Sequence, residues 1–269
     1  MENVKRLASG LIAFALVLVL LAIKNKYLVD VVLAVVAIFA IEEYFKAVSK
    51  VCKPIKWVGY ISAISIALVH IIPKEYLGLT VALSIPTILL VLFLQVILTT
   101  MKTTFKDVAY TFLGIFYIVF FTMFISVIYG MENGNILIWY TFFAAWGTDV
   151  FAYYFGCKFG KHKLNKISPK KSIEGSIAGI IGSTLLALIY TYFINTYGGM
   201  NFNYIIVGIV GVVLSILGQI GDFSASSIKR YVDIKDYSNL IPGHGGMLDR
   251  IDSLLFIAPF AYAFFEILL

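Results

Sequence analysis

Between Gly221 and Ser253 the chain places Asp222, Ser226, Lys229, Arg230, Lys235, Asp236, the run Pro242-Gly243-His244-Gly245-Gly246, Asp249, Arg250 and Asp252. Ammonium, guanidinium and backbone N–H groups bind phosphate oxygens, and carboxylates hold divalent cations. Glycine has no Cβ and tolerates positive φ, so the PGHGG turn lets the backbone pass close to a ligand. Successive N–H groups in such a turn form an anion-binding nest, above all in front of a helix N-terminus. A glycine-rich turn alone is weak evidence, because most are simply turns. Here Lys229, Arg230, Lys235 and Arg250 surround it, with carboxylates on both flanks. Asp249 and Asp252 open the last apolar run three residues apart and share a helical face. The helix dipole accounts for one acid in a first turn, worth about 0.3–1 kcal/mol. It does not account for Arg250 between the two.

Just upstream, Ser215, Gln219, Asp222, Ser226 and Lys229 recur at helical spacing on one face. Ser215 and Gln219 read most simply as a polar seam between helices. A carboxylate at Asp222 is costly in lipid unless it faces protein, water, a cation or a basic partner, which marks it as functional. Asp149 is the one charged residue between Glu132 and Lys158; it is either half of a structural ion pair or part of a polar cavity. Lys170 and Lys171 precede Ser172 and a helix start with Glu174 in its first turn, a placement suited to phosphate. Lys161, Lys163 and Lys166 read instead as topological charge drawn to anionic headgroups, worth about 1 kcal/mol each near the surface. His70 and His162 show no metal-ligand spacing. Cys52 and Cys157 form neither a disulfide framework nor a metal pattern, so both read as free thiols.

The elements that carry these residues are apolar. Of 269 residues, 61% are hydrophobic and 13% charged, where a soluble domain carries about 25% charged residues. Apolar runs of the length a membrane demands lie near 7–23, 27–45, 55–72, 76–100, 108–129, 135–157, 173–194, 203–228 and 251–269. The expected fold class is all-α, a polytopic integral membrane protein with about nine transmembrane helices. The first run follows Lys5 and Arg6 as a signal peptide would, but it exceeds the usual ~7–15 apolar residues and Lys24 and Lys26 follow it. Pro86 predicts a kink in the fourth run. The N-terminus and the loops after the second, fourth, sixth and eighth runs hold 18 of the 21 Lys and Arg residues. The positive-inside rule therefore predicts a cytoplasmic N-terminus and cytoplasmic loops at 158–172 and 229–250. The formal charge of +6 then reflects topology, and no nucleic-acid partner is expected. Residues 1–130 carry helices without a recognisable motif, and 131–269 form the expected catalytic region. The chain shows no convincing internal repeat, which argues against an inverted-repeat transporter.

Taken together, Gly221, Asp222, Ser226, Lys229, Arg230, Lys235, Asp236, Pro242 to Gly246, Asp249, Arg250 and Asp252 resemble the signature region of bacterial-type CDP-diacylglycerol synthases, the phosphatidate cytidylyltransferase family. DVFAYYFGCKFGK resembles that family's Asp-x-x-Ala-Tyr-x-x-Gly element. SPKKSIEG resembles its Ser-Pro-x-Lys-Thr-x-Glu/Gln-Gly element, with Ser172 in place of Thr. The likeness covers residues 145–253, and Val150, Phe151, Ile173 and Ser238 depart from it.

The resemblance implies that CTP and phosphatidic acid react to give CDP-diacylglycerol and pyrophosphate at the cytoplasmic side of the inner (plasma) membrane. It implies a catalytic set of Asp222, Asp249, Lys229 and Arg230, with Asp222 and Asp249 on Mg²⁺ and a second cation left open. Lys170, Lys171, Ser226, Lys235 and Arg250 join the phosphate-binding set, and Gly243, Gly245 and Gly246 approach the nucleotide. His244 either bonds a phosphate or fixes the turn. Asp236 and Asp252 would orient Lys235 and Arg250, and Asp149 would line the cavity. A homodimer is compatible with the sequence but not demanded by it. The rival readings are a CTP-dependent enzyme on an isoprenoid lipid, either an ether-lipid cytidylyltransferase or a polyprenol or phytol kinase, and, less favoured, an ion-coupled transporter with Asp149 and Asp222 as ion sites. Because Lys163 is read as surface charge, Lys163→Ala is expected to change CTP-dependent turnover by less than about twofold. A large loss in steady-state assays would move Lys163 into the site.

Overall fold

The computed structural model describes residues 2–165, 167–241, 243 and 245–268, with side chains from residue 10 to residue 267. The roles expected of Lys166, Pro242 and His244 fall outside the described residues. The predicted apolar runs lie largely on helix, the third (55–72) only as far as a 3-10 turn ending at Leu68: α1 (Glu2–Ala22), α2 (Lys26–Val48), α3 (Lys56–Ser65), α4 (Lys74–Leu98), α5 (Phe105–Gly114), α6 (Phe121–Tyr129), α7 (Gly134–Phe142), α8 (Thr148–Phe159), α9 (Ile173–Tyr197), α10 (Tyr204–Tyr231) and α11 (Leu248–Leu268). A π turn, Ile115–Phe120, joins α5 to α6, and another, Phe143–Gly147, joins α7 to α8. Among the described residues the only β pairings are isolated bridges, Lys163 with Ser172 and Ile241 with Gly245. The all-α class therefore holds.

Among the described residues, four stretches are long and apolar enough to cross a membrane: Lys74–Leu98, Phe105–Tyr129, Ile173–Tyr197 and Tyr204–Tyr231. Helix α4 shows what such a helix presents. It exposes Leu79, Leu83, Leu90, Phe93, Leu94, Ile97 and Leu98 and buries only Leu92 and Val96. That surface is unfavourable against water and favourable against hydrocarbon. The helix runs on through Pro86.

The chain forms two compact units. The first comprises Met1–Gly130 and Tyr231–Arg250. Its centre is α2, whose buried Ala37, Ile41, Tyr44 and Val48 line one helical face. The Tyr44 Oη donates to the Tyr110 carbonyl at 3.0 Å, anchoring α5. The loop after α2 is tied to the start of α5, where Lys53 N donates to Asp107 Oδ1 at 2.6 Å and Ile55 N to Thr111 Oγ1 at 2.9 Å. Cys52 is a free thiol buried in that loop, and burial together with the Asp107 carboxylate pushes it up to about 11. It is thus a neutral packing group, since the thiolate is the reactive form. Near the N-terminal end of α2, the fully buried Asp30 accepts from His70 N at 3.1 Å and from Ser126 Oγ, and faces His70 Nδ1 at 2.8 Å. His70 therefore ties α2, the segment after α3 and α6 together by satisfying a buried carboxylate. At the other end of α2, Lys50 Nζ donates to the carbonyls of Val232 and Asp233 at 3.0 and 3.1 Å. Residues 231–250, expected within the C-terminal region, thus group with residues 1–130 in this unit.

The second unit comprises Met131–Arg230 and Ile251–Leu269. Small residues let α8 and α9 approach closely. A Cβ at Gly175 would lie 2.7 Å from the Ala152 carbonyl and 3.0 Å from Gly156 Cα, and one at Gly179 would lie 2.8 Å from the Thr148 carbonyl. Ala152, Gly156 and Gly175 belong to the motif elements noted above, and their smallness serves this contact. The seam expected of Ser215 and Gln219 is present. Thr148 Oγ1 and Ser215 Oγ are 2.6 Å apart, Ser176 Oγ donates to Gln219 Oε1, and Gln219 Nε2 donates to the Ser176 carbonyl at 3.3 Å. Gly175→Val should lower stability by about 1–3 kcal/mol through overpacking. Gly78→Ala on α4, where a Cβ meets nothing within 4 Å, should not. Thermal unfolding in detergent checks both, and an unchanged melting temperature for Gly175→Val would contradict the packing role.

Candidate functional site

In the second unit the polar face of α10 carries buried Ser215, Ser226 and Lys229 and half-buried Asp222. Lys229 and Arg230 occupy its last turn, where cations complement the helix dipole. A Cβ at Gly221 would lie 2.6 Å from the Asp252 carbonyl, so the main chain of α11 rests on α10 beside Asp222. Asp252 is 7% exposed. It lies within electrostatic range of the Asp222 and Asp149 carboxylates, with Lys229 as the opposing charge. Asp149 is exposed, two residues beyond a π turn, an irregularity often found at functional sites.

A folded loop brings Lys171 to this face. Ser172 caps α9 by accepting from Gly175 N at 3.1 Å, the task its hydroxyl performs in place of Thr. Glu174 accepts from Lys161 N at 3.1 Å and pairs with His162 Nδ1 at 2.6 Å. Leu164 N donates to the Lys171 carbonyl at 2.9 Å. Lys171 Nζ forms an ion pair with Asp222 and sits 4.8 Å from the centroid of the Phe223 ring. Arg230 Nε reaches the Ile167 carbonyl at 3.5 Å, and Lys170 is exposed. Lys171, expected on phosphate, therefore rests on the one carboxylate of α10.

In the first unit, the loop 231–250 bends where only glycine is at ease, with φ of 77° at Gly243 and 85° at Gly245. Gly245 N donates to the Ile241 carbonyl at 3.1 Å. Asp249 Oδ2 accepts from Tyr237 N and Gly246 N, both at 3.0 Å. Glu43 of α2 accepts from Met247 N at 2.9 Å and Leu248 N at 2.8 Å. The amides from Gly245 to Leu248 thus each have an acceptor inside the chain. The anion expected in this nest is, for those four amides, supplied by the protein's own carboxylates and one carbonyl. Gly243, Lys235, Asp236 and Arg250 are exposed.

Glu43 was missed by sequence reasoning, although two adjacent acids in the apolar run AIEEYF are a signal in themselves. Its neighbour Glu42 has an unrelated fate, pairing with Lys46 at 3.3 Å, with Lys56 at 3.6 Å and with the Tyr60 hydroxyl.

Among the described residues, no group of three or more His, Cys, Asp or Glu side chains could hold a metal ion. Mg²⁺ does not require one, because it is usually held by one or two carboxylates and completed by water and substrate phosphates. Asp222 fits that mode: the Lys171 ammonium stands beside it as the positive charge that a cation would supply.

A family model described as the cytidylyltransferase family matches residues 4–268. Curated relatives named phosphatidate cytidylyltransferase align with the chain. That of Staphylococcus haemolyticus is 38% identical over 160 residues, covering 59% of each chain. That of Bacillus subtilis is 39% identical over 161 residues, 59% of this chain and 58% of the relative. That of Thermotoga maritima is 37% identical over 169 residues, 61% of each. The chain spans about three fifths of the length of these curated relatives.

The anchoring role of Asp249 can be tested by substitution. An Asn there keeps one side-chain oxygen for Tyr237 N and Gly246 N, whereas Ala keeps none. Hydrogen exchange at those two amides should rise about tenfold or more in Asp249→Ala and far less in Asp249→Asn. Equal exchange in the two variants would contradict the anchoring role.

Proposed function

The chain belongs to the cytidylyltransferase family, and from that premise we propose that it transfers CMP from CTP to phosphatidic acid, giving CDP-diacylglycerol and pyrophosphate. The observation that carries the reading is the pairing of Lys171 with Asp222 on the polar face that ends in Lys229 and Arg230. The curated relatives' name supports the choice of lipid.

The nucleophile is a phosphate monoester whose second pKa is about 6, so it is largely dianionic at neutral pH and needs no general base. One of its oxygens bonds to the α-phosphorus of CTP while the bond from that phosphorus to the β-phosphate bridging oxygen breaks. The electron pair leaves on pyrophosphate. The barrier lies in bringing two polyanions together and aligning them. Lys171, Lys229 and Arg230, with Lys170 at the exposed margin, would neutralise the reacting phosphates and hold the leaving pyrophosphate. Asp222 and Asp249 are the carboxylates we assign to Mg²⁺, which would add charge neutralisation at the phosphates. Ser226, Lys235 and Arg250 complete the polyanion-binding set, and Gly243 offers an exposed turn to the nucleotide.

In this reading about nine helices span the inner membrane with the N-terminus in the cytoplasm. The Lys- and Arg-rich loops then face the compartment that holds CTP, and the lipid enters sideways between helices. The test is product analysis by mass spectrometry with the full chain in nanodiscs, CTP, dioleoyl phosphatidate and Mg²⁺. CDP-diacylglycerol is the expected product, and Asp222→Asn should lower its formation by about a hundredfold or more at an unchanged melting temperature. Near wild-type turnover in that variant would remove Asp222 from the site. Phosphorylated polyprenol in place of CDP-lipid would overturn the reaction.

A further inference from the structure

Glu43 lies on α2, in the part of the sequence without a recognisable motif, yet it closes the front of α11. It is 4% exposed. Its Oε1 accepts from Met247 N at 2.9 Å and from Ser238 Oγ at 2.5 Å, and its Oε2 accepts from Leu248 N at 2.8 Å. A buried carboxylate is costly unless its oxygens are met. Here a hydroxyl and two amides at a helix N-terminus meet them, and the dipole of α11 adds a favourable field. Gly246 makes room, since a Cβ there would lie 2.5 Å from Glu43 Oε2. The turn ahead of α11 has two left-handed glycines, Gly243 and Gly245, and would sample many conformations without anchors. Asp249 holds it at Tyr237 and Gly246, and Glu43 holds it at Ser238, Met247 and Leu248.

We propose that Glu43 is a positioning residue for the transfer reaction, fixing residues 245–248 so that Asp249, assigned above to Mg²⁺, is presented to the nucleotide site in a single geometry. This rests on the function proposed above. Glu43 acts through the loop and touches neither substrate.

Glu43→Gln tests it with almost no change of volume. One side-chain terminal atom becomes a donor, so either Leu248 N–H or the Met247 and Ser238 donors face an NH₂ group. Hydrogen exchange at Met247 and Leu248 should rise roughly ten- to hundredfold, the loss of a charge-assisted bond, while α4 and α9 exchange as before. The KM for CTP should rise about tenfold and that for phosphatidate stay within about twofold. Glu43→Asp, which keeps the charge on a shorter arm, should recover part of both effects, and it serves as the deciding variant if Glu43→Gln does not fold. Unchanged exchange at Met247 and Leu248 would overturn the proposal. So would loosening spread evenly over α2 to α6, or faster exchange with an unchanged KM for CTP. Should the wild-type chain form no CDP-lipid, the proposed reaction fails. Glu43 is then judged by the exchange rates and by CTP affinity from calorimetry, where wild-type affinity in Glu43→Gln would sink its positioning role.

Discussion

A carboxylate withdrawn from water must have its oxygens met by donors or cations, and this requirement orders much of the chain. Asp30 is met by His70 and Ser126, Asp107 by Lys53 and Thr104, Glu43 by Met247, Leu248 and Ser238, and Asp249 by Tyr237 and Gly246. Each of these carboxylates joins a helix to a neighbouring segment. In a hydrocarbon surrounding, where apolar packing discriminates weakly between arrangements, such polar joints fix which helix meets which loop. The loop 231–250 is the clearest case, because its backbone is held by Glu43 of α2 at Met247 and Leu248 and by Lys50, just beyond that helix, at Val232 and Asp233.

The same requirement bears on the chemistry. A reaction between a nucleoside triphosphate and a lipid phosphate brings together more negative charge than a low-dielectric site tolerates without cations. At α10, Lys171 from the preceding loop pairs with Asp222, and Lys229 lies within electrostatic range of Asp252. In the proposed reaction an arriving phosphate would compete with Asp222 for the Lys171 ammonium, so binding would exchange one ion pair for another rather than strand a charge.

Much of this was legible in the residues. The predicted apolar runs fall on helices, down to 173–194 on α9 and 203–228 on α10. The spacing of Ser215, Gln219, Asp222, Ser226 and Lys229 put them on one face, and Ser215 and Gln219 do bond across helices. The π turns were not legible, because one extra residue per turn leaves an all-apolar run looking the same. Nor was the pairing of Lys171 with Asp222, which depends on how the loop 160–172 folds back through Glu174 and His162. Glu43 escaped for a related reason. Its partners lie about two hundred residues away in sequence, and no local period reports such a contact. The neighbouring acids Glu42 and Glu43 look alike in sequence and point about 100° apart on the helix, one to surface lysines and one to the signature loop.

The proposed reaction turns on which phosphorus of CTP is attacked. The most direct measurement gives the full chain two preparations of CTP, one labelled at the α-phosphate and one at the γ-phosphate, with phosphatidate and Mg²⁺, and follows the label. Transfer of CMP predicts α-label in the lipid and γ-label in released pyrophosphate, in equal amounts. Gamma-label in the lipid, with CDP as the water-soluble product, would contradict it.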